Sequence, residues 1–186
     1  SLTDNPLGPG PLDFKKHTYS ALDVPPLPRI TNVRWVRLKS QNGLDCVVSD
    51  MQHGKLFLWE FDQPDIGLVP IADVAHPSHV EVSDLNQDGH PDLIVADLGT
   101  FFPDDSENGR ILWLRYDVAN KRYEPEVLAR KLGRVADVQS ADFDGDGDLD
   151  LIVAVFGWRA VGEVLYYENI SRDVQQPRFR APRQID

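Results

Sequence analysis

The sequence has little cysteine, no long apolar run and no helical periodicity. With Cys46 as the only cysteine, an internal disulfide is excluded, and its apolar neighbours predict a buried thiol. No run of apolar residues is long enough to cross a bilayer, so we expect no direct membrane insertion. Residues 1–13 are polar and rich in Pro and Gly, which predicts no signal peptide there. Since the sequence does not begin with Met, we expect a processed protein or a piece of a longer one.

Positive charge is also scarce. The 19 Lys and Arg residues are outnumbered by 30 Asp and Glu residues, which gives a formal net charge of −11. Nucleic acids and anionic membranes both need a cationic surface on their protein partner. The charge balance therefore argues against both as partners, and it is compatible with the binding of cations.

Motifs of common enzyme classes are missing as well. The sequence contains no G-x-S-x-G, H-E-x-x-H, phosphate-loop or G-x-G-x-x-G pattern. Asp104, Asp105 and Glu107, in the stretch FFPDDSENGR, are the best carboxylate group for acid–base work, and an ordinary solvated loop is the favoured interpretation. We therefore expect no enzymatic activity from this chain.

What the sequence does contain is an internal repeat. VSDLNQDGHPDLIVADLG (82–99) aligns without a gap with SADFDGDGDLDLIVAVFG (140–157). A fainter copy, VRLKSQNGLDCVVSDMQHG (36–54), is one residue shorter between its Gly and its Asp. This copy has Lys39, Ser40 and Gln41 where acids are expected, so we predict that it binds no metal.

Each repeat unit predicts four short strands, because Val, Ile, Leu, Trp and Tyr alternate with turns of Gly, Pro, Asp and Asn. The predicted strands are 33–38, 45–49, 55–61 and 67–73 in the first unit, 79–83, 92–96, 110–116 and 123–129 in the second, and 135–140, 150–155, 163–169 and 178–185 in the third. Such units are typical of β-propeller blades. The predicted fold is all-β: a partial β-propeller of about three four-stranded blades, preceded by one outer strand.

The predicted organisation has five parts. They are an extended tail (1–14), an outer strand of a preceding blade with a Pro-rich turn (15–29), a first blade without a metal loop (30–76), a second blade (77–131) and a third blade (132–186). Propellers usually need four to eight blades to close. We therefore expect the chain to be part of a larger ring, completed by further sequence or by another chain.

The acidic stretches 84–92 and 142–150 predict two metal sites. A D-x-D-x-D-G loop directs side chains 1, 3 and 5 to one side, and Gly at position 6 allows the sharp turn. Position 7 can offer its carbonyl oxygen and position 9 a carboxylate. The predicted ligands are Asp84, Asn86, Asp88, His90 and Asp92 in the second unit, and Asp142, Asp144, Asp146, Asp148 and Asp150 in the third.

Oxygen-only ligands of this kind favour Ca²⁺, although the sequence does not distinguish it from other hard cations. An EF-hand is excluded, because position 12 is Val95 or Val153 within a β-type run. Acidic surface turns without metal are the alternative, since Asp, Asn and Gly are common in turns. Calcium is millimolar outside cells, so two structural Ca²⁺ sites predict a periplasmic or extracellular protein.

The motifs DLNQDGHPDLIVADLG and DFDGDGDLDLIVAVFG resemble the FG-GAP repeats, also called VCBS or integrin-α-like repeats. Phe156 and Gly157 stand where that name has its Phe and Gly, and Leu98 and Gly99 replace them in the second unit. The resemblance implies a propeller blade whose Asp-rich loop binds Ca²⁺, with the ten residues above as ligands. It also implies an exported protein.

Together these features predict a calcium-stabilised, non-catalytic interaction or scaffold module of an exported protein or complex. A protein partner or the rest of the ring is expected to contact it. Carbohydrate is a further candidate ligand, because Phe101, Phe102 and Trp158 lie in loops of neighbouring blades, although packing between blades is favoured for them. The competing hypothesis is a polysaccharide-active or redox propeller enzyme whose catalytic residues lie outside this chain.

Overall fold

Residues 27–185 are the part of the chain that the computed structural model describes, and they form twelve β-strands and one 3-10 turn, Pro64–Ile66. The first sheet contains β1 (Ile30–Val36), β2 (Asp45–Asp50), β3 (Lys55–Trp59) and β4 (Leu68–Asp73). The second contains β5 (Pro77–Ser83), β6 (Asp92–Asp97), β7 (Gly109–Asp117) and β8 (Arg122–Leu132). The third contains β9 (Arg134–Ala141), β10 (Asp150–Phe156), β11 (Glu163–Tyr167) and β12 (Arg183–Gln184).

Each sheet is antiparallel, and its strands follow one another in chain order. Turns and loops connect them, and the shortest, at 51–54 and 118–121, join the second to the third strand of the first sheet and the third to the fourth strand of the second. The all-β prediction and the division into four-stranded units are confirmed. No helix among the described residues is long and apolar enough to cross a membrane.

The three sheets stack through their first strands. β1 contacts β5, and β5 contacts β9. Polar side chains connect these strands: Arg34 donates to Glu81 at 2.5 Å, and His79 lies 3.2 Å from a carboxylate oxygen of Asp137. The last strands β4 and β8 also touch. This arrangement is consistent with consecutive blades of a propeller, and the described residues show no closed ring.

Two apolar cores fill the spaces between the sheets, and the alternation of side chains along β6 serves both. Leu93 and Val95 point into the core shared with the first sheet, while Ile94 and Ala96 point into the core shared with the third. Because neighbouring residues of a strand face opposite sides of a sheet, the near-continuous apolar run LIVA is explained by burial on both faces.

The last predicted strand is largely wrong. Instead of 178–185, only Arg183–Gln184 pair with β11, together with an isolated bridge between Asn169 and Phe179. Pro177 and Pro182 flank this stretch, and proline has no backbone N–H to donate to a strand ladder. The third sheet therefore has a very short outer edge.

One aromatic residue departs from the repeat. The pairing places Leu58 opposite Val47, as Trp113 is opposite Ile94 and Tyr166 is opposite Ile152, so Leu58 and not Trp59 corresponds to Trp113 and Tyr166. Trp59 instead pairs with Cys46 and faces away from the second sheet. Cys46 itself is buried, as expected.

Two predicted segments lie outside the described residues. They are the tail 1–14 and, apart from residues 27–29, the outer strand and Pro-rich turn at 15–29. The predicted domain boundaries stay a prediction.

We predict that Leu56→Ala lowers the free energy of unfolding by about 2–5 kcal/mol, because Leu56 is fully buried in the core between the first two sheets. Val118→Ala is the control, since Val118 is exposed in a turn and its truncation should change stability by less than about 0.5 kcal/mol. Urea unfolding of both variants measures the difference, and an equal effect would contradict the assignment of this core.

Candidate metal centre

Three loops connect the first and second strands of the sheets, and they have the same length. The strand pairs that close them are Val36 with Asp45, Ser83 with Asp92 and Ala141 with Asp150. The loops therefore run over 37–44, 84–91 and 142–149, and positions can be compared one to one. The sequence comparison predicted a one-residue deletion in the first copy, between its Gly and its Asp. This prediction is wrong, because strand pairing gives the three loops the same length.

This comparison changes which residues replace the acids in the first loop. Positions 1, 3 and 5 are Asp142, Asp144 and Asp146 in the third loop and Asp84, Asn86 and Asp88 in the second. In the first loop they are Arg37, Lys39 and Gln41. Ser40, which the sequence placed at an acid position, is buried and points inward.

The third loop brings three carboxylates together. One oxygen from each of Asp142, Asp144 and Asp146 lies within 4.8 Å of the others, and all three residues are exposed. Asp142 accepts hydrogen bonds from the backbone N–H groups of Gly145 at 2.7 Å and Gly147 at 3.1 Å. Gly147, at position 6, has φ of 98°, a conformation that favours glycine. The turn therefore directs the three carboxylates toward one point.

Desolvation and the charges of neighbouring acids both raise pKa values in this loop. Burial raises the pKa of Asp148 to about 6, and the neighbouring charge of Asp146 adds to the effect. Desolvation, followed by the charges of Asp146 and Asp150, also raises the pKa of Asp144. Like charges this close repel one another, and water weakens the repulsion between exposed carboxylates without removing it. A divalent cation would convert this repulsion into attraction.

The last two predicted ligands of the third loop lie deeper. Oδ1 of Asp148 is buried without a hydrogen-bond partner. Asp150 is fully buried, and its carboxylate accepts from the hydroxyl of Tyr166 at 2.8 Å and the backbone N–H of Asn169 at 2.7 Å. Both residues thus keep acceptor capacity near the cluster, and their role as ligands stays a prediction.

The second loop has the same turn with fewer charges. Asp84 accepts from the backbone N–H groups of Asp88 at 2.9 Å and Gly89 at 2.8 Å. Asn86 is only 2% exposed, and its Oδ1 has no hydrogen-bond partner. An unsatisfied buried acceptor is costly, and a bound cation would satisfy it.

Two further predicted ligands of the second loop, His90 and Asp92, are placed differently. The backbone N–H of His90 donates to Asp88 at 2.9 Å. Asp92 is fully buried and accepts from the indole of Trp113 and from the backbone N–H of Tyr116, each at 2.8 Å. Burial raises its pKa to about 6 despite these hydrogen bonds. Neither residue's role in metal binding is tested by these contacts.

The two acidic loops are linked to each other across the sheets. The side chain of Gln87 donates to the carbonyl of Gly147 at 2.9 Å, and Gln175 donates to the carbonyl of Asn86 at 2.8 Å. Nothing in the repeat pattern indicated these glutamines, because both are exposed and neither recurs in the other units.

The first loop is closed without a cation. Asp45 accepts from the Ser40 hydroxyl and from the backbone N–H groups of Lys39 at 2.7 Å and Phe61 at 3.1 Å. Asp62 accepts from the backbone N–H of Gln41 at 2.5 Å. Asp45 comes from the start of β2 and Asp62 from the turn after β3, and their hydrogen bonds hold the loop in place.

At the opposite end of the sheets lie the loops with exposed aromatic residues. Phe102 is 74% exposed between two described sheets, so the expected packing between blades is wrong for it. Trp158 is 60% exposed in the last described sheet, and its packing against a further blade stays a prediction. The loop of Trp158 is held by Asp105, whose carboxylate accepts from the backbone N–H groups of Trp158 at 2.7 Å and Arg159 at 3.0 Å. Asp104 is likewise bound to Ser106, at 2.7 Å. The carboxylates of Asp104 and Asp105 therefore hold the conformation of these loops through hydrogen bonds.

Comparison with protein families finds that residues 84–153 match the FG-GAP-like repeat. The match begins at the first acid of the second loop and ends in β10, so it includes both acidic loops and covers less than half of the chain. Over these residues, the resemblance inferred from the sequence is confirmed, while the first sheet lies outside the match. Comparison with curated proteins finds no match.

We predict that Asp45→Asn lowers the free energy of unfolding by about 1–3 kcal/mol at pH 7, because the amide would leave buried N–H donors without an acceptor. Burial alone would raise the pKa of Asp45, but hydrogen bonds from Ser40, Lys39 and Phe61 outweigh it and hold the pKa below 3.8.

The sign of the pH dependence follows from this lowered pKa. The carboxylate stabilises the fold above pH 3.8, and its contribution is lost as the pH falls through the folded-state value. Urea unfolding of wild type and Asp45→Asn should therefore give a difference that is constant from about pH 7 to 5 and shrinks below about pH 4. A difference that grows on acidification would contradict this assignment.

Proposed function

We propose that this chain is a calcium-binding segment of an FG-GAP-type propeller that acts as a non-catalytic interaction or scaffold module of an exported protein. The observation that carries the proposal is the convergence of Asp142, Asp144 and Asp146 in the third loop. The match of residues 84–153 to the FG-GAP-like repeat supports it, because that match contains both acidic loops.

The proposed role of the ion is structural. Ca²⁺ takes six to eight oxygen ligands at 2.3–2.6 Å. This loop brings three exposed carboxylates together, and the carbonyl of Asp148 and the carboxylate of Asp150 are the further proposed ligands. A ligand that binds only the folded state stabilises it by RT ln(1 + [L]/Kd), which is about 2.7 kcal/mol at a hundredfold excess over Kd. Millimolar extracellular calcium would supply such an excess, which favours an exported setting.

The second loop is proposed as a second, weaker site. It has two acids and one amide at positions 1, 3 and 5, so it carries less negative charge than the third loop. The unpartnered, buried Oδ1 of Asn86 supports a ligand there. Fewer carboxylates lower the affinity for Ca²⁺, so the two sites should fill in order, the third loop first.

The proposed partners contact the two outermost sheet faces. On the first sheet, Val33 and Trp35 pair with Val48 and Cys46, and they are 56% and 61% exposed on the face turned away from the second sheet. On the third sheet, Val164 pairs with Ala154 and is 42% exposed. In the interior, the corresponding faces are covered by the next sheet, so further blades of the same or another chain are the proposed occupants.

Calorimetric titration with Ca²⁺ and with Mg²⁺ tests the metal sites. We expect wild type to bind Ca²⁺ and Asp146→Ala to lose one site, because Asp146 supplies one of three convergent carboxylates. Calcium should raise the melting temperature of wild type more than that of the variant.

Gln41→Ala is the matched control, since Gln41 occupies position 5 of the first loop, as Asp146 does in the third. Its titration should equal that of wild type. Unchanged stoichiometry in Asp146→Ala would remove Asp146 from the ligands, and stronger binding of Mg²⁺ than of Ca²⁺ would contradict the choice of ion.

Light scattering as a function of concentration tests the open faces. We expect wild type to self-associate as its concentration rises, and Val33→Asp and Val164→Asp to reduce that association, because each places a charge on an exposed apolar face. Val118→Asp is the control, since Val118 is similarly exposed but lies in a turn. A wild type that stays monomeric throughout would contradict a second copy of this chain as the occupant of these faces.

A further inference from the structure

A cleft of about 250 Å³ opens between the first and second sheets, at the end that carries the acidic loops. Its walls come from the first loop, from β3 and β4, and from the turn between β7 and β8. Its lining residues include Lys39, Leu58, Ile71, Lys121, Arg122 and Tyr123.

The charge of this cleft is opposite to that of the protein. Three of its lining residues, Lys39, Lys121 and Arg122, are cationic, and none is acidic. The chain as a whole has a net charge of −11. A cationic cleft in such a strongly acidic protein would therefore attract anions at a place where the remaining surface repels them.

The comparison of the three loops shows where this cationic character comes from. Lys39 lies at the loop position that Asn86 and Asp144 occupy in the other sheets. Asp45 and Asp62 accept hydrogen bonds from the backbone N–H groups of the first loop. The loop is thereby held without carboxylates at its surface positions. The third position of the loop is therefore cationic in the first sheet, neutral in the second and acidic in the third.

The floor of the cleft is apolar. Leu58 is fully buried in the core between the sheets, and Ile71 and Tyr123 pack against that core. The rings of Tyr116 and Tyr123 lie 5.3 Å apart on one wall. The cleft is therefore a notch in the apolar core with a cationic rim, and both parts are accessible to one small molecule.

Not all of the rim charge is available. Lys39 pairs with Glu60 at 2.9 Å and Arg122 pairs with Glu124 at 3.0 Å, although neither glutamate lines the cleft. Among the described residues, Lys121 has no ion pair, and its backbone φ of 52° holds it in the turn between β7 and β8. Lys121 is consequently the cation with most to gain from a bound anion.

We propose that this cleft binds small amphipathic organic anions: an apolar body against Leu58, Ile71 and Tyr123, with a carboxylate, sulfonate or phosphate group at Lys121. The proposal does not depend on metal binding, because no residue of the cleft belongs to the two acidic loops. An apolar body without charge would use only the floor, and an inorganic anion would use only the rim, so both should bind more weakly.

Titration of the full chain with octanoate tests the proposal, and octylammonium serves as a probe with the same chain and the opposite charge. We expect octanoate to bind more tightly than octylammonium. Binding should shift NMR signals of the first loop and of the turn between β7 and β8. The variant Lys121→Glu should weaken octanoate binding about tenfold and strengthen octylammonium binding, since it changes the rim by two charges.

Lys131→Glu is the matched control, because Lys131 is also an exposed lysine with positive φ but lies at the other end of β8. It should leave both affinities unchanged. An equal loss of octanoate binding in both variants would show a general effect of charge and overturn the proposal. Equal affinity of wild type for the two probes, or no binding of octanoate, would overturn it as well.

Discussion

A buried aspartate at the start of the second strand of each sheet organises this protein. Asp45, Asp92 and Asp150 are all fully buried, and each accepts hydrogen bonds from the third strand or the residues that follow it. Charged groups are expensive to bury, and these three are tolerated because backbone N–H, indole or hydroxyl donors surround them. Each aspartate thereby fixes a loop above it to the strand pair beside it.

The loops above these aspartates are held in two different ways. In the first sheet, the carboxylates of Asp45 and Asp62 bind the backbone N–H groups of the loop directly. In the third sheet, Asp142 accepts hydrogen bonds from backbone N–H groups of its own loop, and three exposed carboxylates lie close together at the surface. The first loop is held by hydrogen bonds within the chain, whereas the third has an acidic cluster that could hold a cation.

The fold could be predicted from the sequence to a large extent, because apolar strands and turn residues recur in register in every unit. The central strands of each sheet were the clearest, since runs such as LIVA are buried on both faces. The last strand of the third sheet was predicted too long, because prolines interrupt its pairing with β11. The face on which Trp59 lies is set by strand register, which the repeat alone does not fix. Register is a tertiary property, and a shift of one residue reverses the side of the sheet.

The candidate site was predicted less completely. The acidic positions 1, 3 and 5 follow from spacing, and the structure brings Asp142, Asp144 and Asp146 together. The residues that replace them in the first loop could not be assigned correctly, since the apparent gap at Gly43 disappears only when strand pairing fixes the alignment. Contacts such as Gln87 to Gly147 join residues of different sheets and leave no local pattern.

The equal length of the three loops has a consequence for how such a protein can change. The loop with a candidate cation site and the loop without acids differ here by substitutions alone, and both keep the backbone frame and the buried aspartate. Descent from a common repeat can therefore add or remove an ion site, or even reverse the local charge, without inserting or deleting a residue. Neighbouring blades can diverge in ligand chemistry while their packing against one another stays intact.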